Sequence, residues 1–452
     1  MINNLINRYY KRIKLGLIRH NLKHLEWQLF ASVIASFLGT VQYFLLYYLL
    51  GPTLFGKFTL VLSIAMVINI LLDFKLVEPV IYHISNARNN KERKTFACLP
   101  LFACVLVIAF TSVCYGVTQS IGIKQVLGQP VVLIFMLSLA MLLQTYTQTL
   151  YTAIYRHEDK LKELATLRCI FQLVRVAGVG ISAYFTRDLI LVSMTLLFIN
   201  VALLSIGWII VKLTIDWMKS KLGNLSGILT KLYSRKTMFR NNYISTLSTI
   251  PLKELDVIIL GGAISFDSLG HYKLSKLLFG ALWMVIEAVN LVLFPRVIKK
   301  NRCRSEHKNT FIELLELSKK LFQIGLVLII VVWCIWFISI QFSSLVPYDV
   351  IYWFGLMCLS LAFWSPFMWC YGYLLSVDKS TEAMKLLVST SFLSIVAQVV
   401  LVNYFYVYGA IAATIIGGTL SSVVLLKNIC KHLDIKMAKV LRIVYLSEKV
   451  SV

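Results

Sequence analysis

Long apolar runs recur down this chain with basic residues gathered between them, and a run of about 20 apolar residues is what a helix needs to cross a bilayer. Such runs can be read at Trp27 to Tyr48, Phe55 to Tyr82, Phe96 to Val117, Val131 to Tyr155, Leu164 to Phe185 and Leu189 to Leu213. Six more follow at Phe239 to Ala263, Ser268 to Ile298, Leu321 to Phe342, Ile351 to Leu375, Met384 to Tyr404 and Tyr408 to Cys430. They are helices 1 to 12 below. Only 15% of the 452 residues are charged, 58% are hydrophobic and the mean hydropathy is +0.77, whereas soluble domains carry about 25% charge. Because every backbone polar group must be satisfied inside the bilayer, the expected fold is an all-α integral membrane protein.

The net charge of +24 raises nucleic acid as a partner, and the placement of the charge argues against it. A nucleic-acid groove needs a continuous basic stripe with interleaved exposed aromatics. Here the bases sit in short runs suited to anionic headgroups. Six lie within residues 1–24; others run from Arg88 to Lys94, Arg156 to Lys160, Lys212 to Arg240, Arg296 to Lys320, at Lys379 and along 431–452. The alternate gaps hold only Lys57, Lys124 and Arg187. Basic loops mark the cytoplasmic side, so both termini are expected there. Residues 1–24 form a basic segment without the short apolar core of a cleaved signal peptide. The lobes are expected at 25–213 and 239–430, joined by a basic connector at 214–238 and followed by a tail at 431–452.

The connector divides the chain into halves of six helices, which invites a search for a repeat. Aligning Gly56 with Gly270 sets Leu54-Phe-Gly56-Lys57-Phe58 on Ser268-Leu-Gly270-His271-Tyr272, each at the turn between the first two helices of its half. Pro79 and Pro295 follow at similar distances. Both halves start on the same side, so the repeat axis lies along the membrane normal.

Soluble-enzyme motifs fail on context. Gly51 to Lys57 nearly matches a phosphate-binding loop, but Phe58 stands where Ser or Thr is needed and no βαβ unit surrounds it. Gly178-Val-Gly180-Ile-Ser-Ala183 matches a dinucleotide fingerprint inside helix 5, where small residues serve helix packing. No His/Cys cluster has zinc spacing, and no cofactor is expected. Of nine cysteines, seven fall in apolar runs, while Cys303 and Cys430 lie in basic loops facing a reducing compartment. No disulfide is expected.

The informative signal is polar and ionisable residues at membrane depth, which are expensive and mark pathways or binding sites. Helix 8 carries Lys273, Lys276, Gly280, Trp283, Glu287 and Asn290 on one face by their spacing. Helix 7 has Lys253 and Asp256 after Pro251, whose missing N–H should kink it. Helix 5 has Arg168, Gln172 and Arg175; helix 4 has Gln144, Gln148 and Tyr151; helix 2 has Asn69 and Asp73, with Lys75 and Glu78 nearby. Lys273, Arg168, Lys75 and Glu78 sit where side chains can snorkel to an interface. Arg175, Lys253, Asp256, Lys276 and Glu287 lie deeper and favour a cavity role.

The two halves of six helices, the Leu54-x-Gly56-x-Phe58 and Leu269-Gly270-x-Tyr272 turns, Asp256-Val-Ile-Ile-Leu-Gly261 and Phe294-Pro295-Arg296 together resemble the Wzx-type O-antigen and polysaccharide flippases of the multidrug/oligosaccharidyl-lipid/polysaccharide exporter superfamily. The resemblance covers nearly the whole chain. It implies two six-helix lobes rocking around a central cavity in the bacterial inner membrane, carrying undecaprenyl-diphosphate-linked oligosaccharide from the cytoplasmic to the periplasmic leaflet, without enzymatic chemistry. A polysaccharide polymerase complex is an implied partner. On that reading Arg175, Lys253 and Lys276, with Arg168 and Lys273, are candidates for the diphosphate. Gln144, Gln148, Tyr151, Trp283 and Asn290 are candidates for sugar contacts, and Asp256, Glu287 and Asp73 for a coupling proton or sodium ion. Two alternatives stand beside it: a multidrug-extrusion exporter of the same fold, and a membrane glycosyltransferase or polymerase, for which the short outer gaps leave little room.

Overall fold

The computed structural model describes residues 2–74, 76–85, 87, 89–158, 160–219, 236–300, 307–342, 347–377 and 379–446. Lys75, Arg88 and Cys303, the middle of the connector and the last residues of the tail lie outside them. The described chain is almost wholly helical, and the twelve expected helices are present. Helices 1 and 2 run continuously from Ile2 to Leu72 except at Gly51, whose φ of 77° turns the chain back. Only a residue without a Cβ takes that conformation at no cost. Helices 11 and 12 likewise run from Ser380 to Leu433, broken only at Tyr406 (φ 51°, ψ −122°). Cys430, expected in a loop, is therefore buried inside helix 12.

Eight continuous described helices are long and apolar enough to cross a membrane, and the two longest, Phe37–Leu72 and Thr381–Leu433, contain the hairpins just described. Helices 7 and 8 complete the set. The protein is a multi-pass membrane protein built as two six-helix lobes.

The elements differ from the simple reading where proline or capping chemistry intervenes. Helix 2, expected to run to Tyr82, stops at Leu72; the chain resumes at Val77–Ser85. Pro79 explains the break, since it supplies no N–H and its ring clashes with a continuing helix. Helix 5 ends with Arg187 in the left-handed region (φ 49°). Asp188 then caps helix 6 by accepting from the Ile190 N–H at 2.8 Å. Between helices 3 and 4 a two-residue turn, Leu127 and Gly128, both at positive φ, closes a short antiparallel hairpin pairing Gln125 with Pro130. After helix 12, Met437–Tyr445 forms a short amphipathic helix whose Val440, Ile443 and Val444 are buried against the C-terminal lobe.

Each lobe has its own core. One, around Tyr146, Tyr151, Phe171 and Leu203, is drawn wholly from the first half; another, around Phe311, Trp369, Tyr373 and Leu426, wholly from the second. The lobes meet along helices 1 and 2 against helices 7 and 8 and the start of helix 10, where Leu274 and Val350 join the N-terminal core and Leu60 the C-terminal one. The two turns aligned by the repeat face one another. A Cβ on Gly56 would lie 1.8 Å from the Phe266 carbonyl oxygen, and one on Gly270 would lie 2.6 Å from that of Pro52. Pro52 aligns with Phe266 as Gly56 does with Gly270, so the contact is reciprocal about the repeat axis. The aligned pair Thr53 and Asp267 is also joined, the Thr53 hydroxyl donating to the Asp267 carboxylate at 2.5 Å. At the opposite end the lobes touch through Tyr243, whose hydroxyl donates to the Leu71 carbonyl at 2.7 Å.

The small-residue motifs are packing devices, as their context demanded. A Cβ on Gly178 would sit 2.3 Å from Ile199, and one on Gly180 would sit 2.5 Å from Leu45.

Candidate functional site

Two polar clusters lie at membrane depth, one in each lobe. In the C-terminal lobe the cluster is organised by helix 7, where Pro251–Leu255 forms one wide π-turn before a regular helix resumes at Asp256–Gly261. The kink expected at Pro251 is thus an inserted residue, a form common at functional sites. The Pro251 carbonyl is taken by the buried Gln398 amide of helix 11 at 2.5 Å. The wide turn leaves Lys253 exposed and sets Glu254 and Asp256 in the interior, 8% and 0% exposed.

Each acid meets a lysine of helix 8. Lys273 Nζ lies 2.7 Å from Glu254 Oε2, and Lys276 Nζ lies 2.6 Å from both Asp256 oxygens. Lys276 also donates to the Lys253 carbonyl at 2.6 Å, and the Tyr272 hydroxyl donates to Asp256 at 2.5 Å. Lys273 does not snorkel: it is 4% exposed. A long side chain reaches for water only when no charge partner lies nearer, and Glu254 is nearer. Two lysines and two acids thus neutralise each other, and neither base stands ready as a bare cation.

The N-terminal cluster is different. Arg175 of helix 5 is 2% exposed. Its Nε donates to Asn200 Oδ1 of helix 6 at 2.8 Å, and Nη1 donates to Gln172 at 3.3 Å. Asn200 is held in turn by the Ala140 carbonyl of helix 4 at 3.0 Å, and Gln172 donates to Gln42 of helix 1 at 3.2 Å. The remaining nitrogen, Nη2, is buried without a hydrogen-bond partner among the described residues. All of its hydrogen-bonding partners are neutral amides. A guanidinium fixed by neutral groups in a low-dielectric setting keeps its full charge for an incoming anion. Arg168 lies about two turns back along the helix, donating to Thr152 at 3.0 Å. The buried Tyr151 lies within electrostatic reach of Arg168 and Arg175.

Tyr43 of helix 1 lies within electrostatic reach of both Arg175 and Glu254. The remaining candidates are dispersed. Gln144 and Gln148 are half-buried on helix 4. Trp283, expected on the polar stripe of helix 8, stacks on Trp364 of helix 10 with ring centres 4.3 Å apart, leaving it half-buried. Asp73 is buried in the break after helix 2, beside Tyr146. The side chains of Glu287, Asn290 and Glu78 lie outside the described residues. Glu254, Ser63, Asn200, Gln42 and Gln398 were not singled out by the spacing arguments, although each is a polar residue in an apolar run and the same cost rule applies to it.

A family model for polysaccharide biosynthesis proteins matches residues 22–300. No curated relative matches the chain by sequence. Among solved structures, the lipid II flippase MurJ in an inward closed conformation superposes with a TM-score of 0.62 at 12% identity, covering 96% of this chain and 92% of MurJ. An inward-facing multidrug resistance transporter of the MATE family superposes at 0.59 with 13% identity, covering 91% of this chain and 94% of the transporter. A transporter of the same superfamily from Pyrococcus furiosus superposes at 0.58 with 12% identity over 91% and 96%. At these identities the likeness is one of fold. The match over more than half of the chain, on a fold of this superfamily's transporters and flippases, settles membership: the chain belongs to the polysaccharide biosynthesis protein family.

Proposed function

We propose that the chain carries undecaprenyl-diphosphate-linked oligosaccharide repeat units, of O-antigen or a related surface polysaccharide, from the cytoplasmic to the periplasmic leaflet of a bacterial inner membrane by alternating access of its two lobes. The observation that carries this reading is Arg175, a buried guanidinium anchored by amides, whose Nη2 has no hydrogen-bond partner among the described residues. A phosphate oxygen of the diphosphate is the anionic acceptor that this nitrogen lacks, and it would take the second contact of a fork if the long Gln172 bond gave way. Lys276 and Lys253 flank the facing lobe and become diphosphate ligands if Asp256 yields its partner, while Arg168 and Lys273 hold their places through Thr152 and Glu254. The half-buried Gln144, Gln148 and Trp283, with Tyr151 and Asn290, offer the amide, hydroxyl and aromatic groups that sugars require. Asp256, Glu287 and Asp73 are the acids for a coupling proton or sodium ion. The distribution of bases puts both termini in the cytoplasm and the Gly56–Gly270 contact on the periplasmic side.

The MATE neighbours make multidrug export the competing reading. It is disfavoured by the site, since cationic drugs need uncommitted acids, and the acids whose side chains are described in the second cluster already hold lysines. Deleting the gene and asking which leaflet accumulates lipid-linked sugar tests the proposal. Accumulation on the cytoplasmic side, reversed by the wild-type gene, supports it. Normal surface polysaccharide with heightened sensitivity to cationic drugs overturns it.

A further inference from the structure

Where the lobes meet, helix 2 presents Ser63, which is fully buried against the second lobe. Its hydroxyl donates to Glu254 Oε2 at 2.6 Å and accepts from Lys273 Nζ at 3.1 Å. Glu254 and Lys273 belong to helices 7 and 8, so their ion pair is internal to the C-terminal lobe, and among the described residues Ser63 is the one that hydrogen-bonds it to the N-terminal lobe. The triad lies about 10 Å along helix 8 from its turn, taking 1.5 Å per residue from Phe266 to Lys273, on the same side as the reciprocal contact of Gly56 and Gly270. Lys276, Tyr272 and Tyr43 also lie within electrostatic reach of the pair or its acid.

We propose that Ser63 is the latch between the lobes, a positioning residue that closes this end by hydrogen-bonding across the seam to the Glu254–Lys273 ion pair. The division of labour has a physical logic. Separating two buried unlike charges on every cycle would strand both in low dielectric. Here the charges stay together in one lobe and only a neutral hydroxyl is withdrawn. The bonds it loses are charge-assisted, so they are strong enough to favour closure and weak enough to be remade. Opening leaves the intact pair facing the widened seam. This goes beyond the flippase reading and does not depend on what is carried.

The test reads the seam directly. Spin labels at Tyr48→Cys and Tyr348→Cys, exposed positions of the two lobes near this end, report their separation by pulsed electron resonance in a cysteine-free background in nanodiscs. Ser63→Ala should raise the population of a longer distance by roughly tenfold or more relative to the parent, with the thermal melt still cooperative. Ser63→Thr keeps the hydroxyl and should restore the short distance. The double variant Glu254→Gln, Lys273→Met, which removes the charges the hydroxyl grips, should shift as Ser63→Ala does. An unchanged distribution in folded Ser63→Ala overturns the latch. A shift in Ser63→Ala that Ser63→Thr fails to reverse would assign the effect to packing and overturn it equally. Neither result bears on the substrate, which is read separately by lipid translocation.

Discussion

At the scale of single residues, the two lobes treat charge in opposite ways. The C-terminal lobe cancels it: Lys273 with Glu254, Lys276 with Asp256. The N-terminal lobe keeps Arg175 charged and surrounded by amides. If Arg175 grips the substrate's diphosphate, its replacement removes bonds worth about 1.5–3 kcal/mol, roughly a ten- to hundredfold loss in affinity. Lysine keeps the charge and loses the fork. Transport by reconstituted protein at equal density should therefore fall in the order wild type, Arg175→Lys, Arg175→Ala. Normal transport by Arg175→Ala would leave the residue as a strut for Asn200 and Gln172. The sequence made Arg175 visible because a lone base in an apolar run is costly. Glu254 was visible as an acid at depth and not as a site residue, since what distinguishes it is Ser63, distant in sequence on another helix.

At the scale of elements, helix 7 decides the geometry. The π-turn at Pro251–Leu255 inserts one residue, and each residue rotates a helix by about 100°. Glu254 meets Lys273, and Asp256 meets Lys276, only in that register. Pro251→Ala supplies an N–H and permits a regular helix, which would swing one acid off its lysine. The expected outcome is a protein that inserts at normal abundance, melts at lower temperature and transports poorly. Unaltered transport and melting would show that the register is set elsewhere. The kink was legible from proline chemistry, but its form depends on Gln398 capturing the Pro251 carbonyl, which no local pattern announces. The turn contact is a second element-scale test. Gly56→Ala places a methyl where the Phe266 carbonyl stands, and overpacking of this kind costs about 1–3 kcal/mol. The melting temperature should drop, whereas the same change at Gly116, inside helix 3 with open space around it, should hold or raise it, since alanine is the better helix former.

At the scale of the whole molecule, apolar periodicity was enough to place twelve helices in two halves, because the bilayer permits little else. The repeat read from Gly56 and Gly270 gained its meaning only in three dimensions, where the aligned residues meet across the axis. What sequence could not supply was which polar residues face each other between helices far apart in the chain. Lys273 and Lys276 are the clearest case: spacing put them on one face of helix 8 as diphosphate candidates, and only the fold shows that each is held by an acid of helix 7. The placement of the bases gives a testable orientation. Reporter fusions after Lys124 and after Lys299 should fall in opposite compartments, periplasmic and cytoplasmic, and agreement between them would refute the topology. The central claim is translocation itself. Purified protein in liposomes should move labelled undecaprenyl-diphosphate-linked oligosaccharide between leaflets, measured as loss of label to an impermeant quencher. Wild-type protein should do so well above protein-free vesicles, with Arg175→Ala close to the vesicle rate and a cationic dye not transported. Translocation no faster than in empty vesicles, by protein that does extrude the dye, would contradict the account.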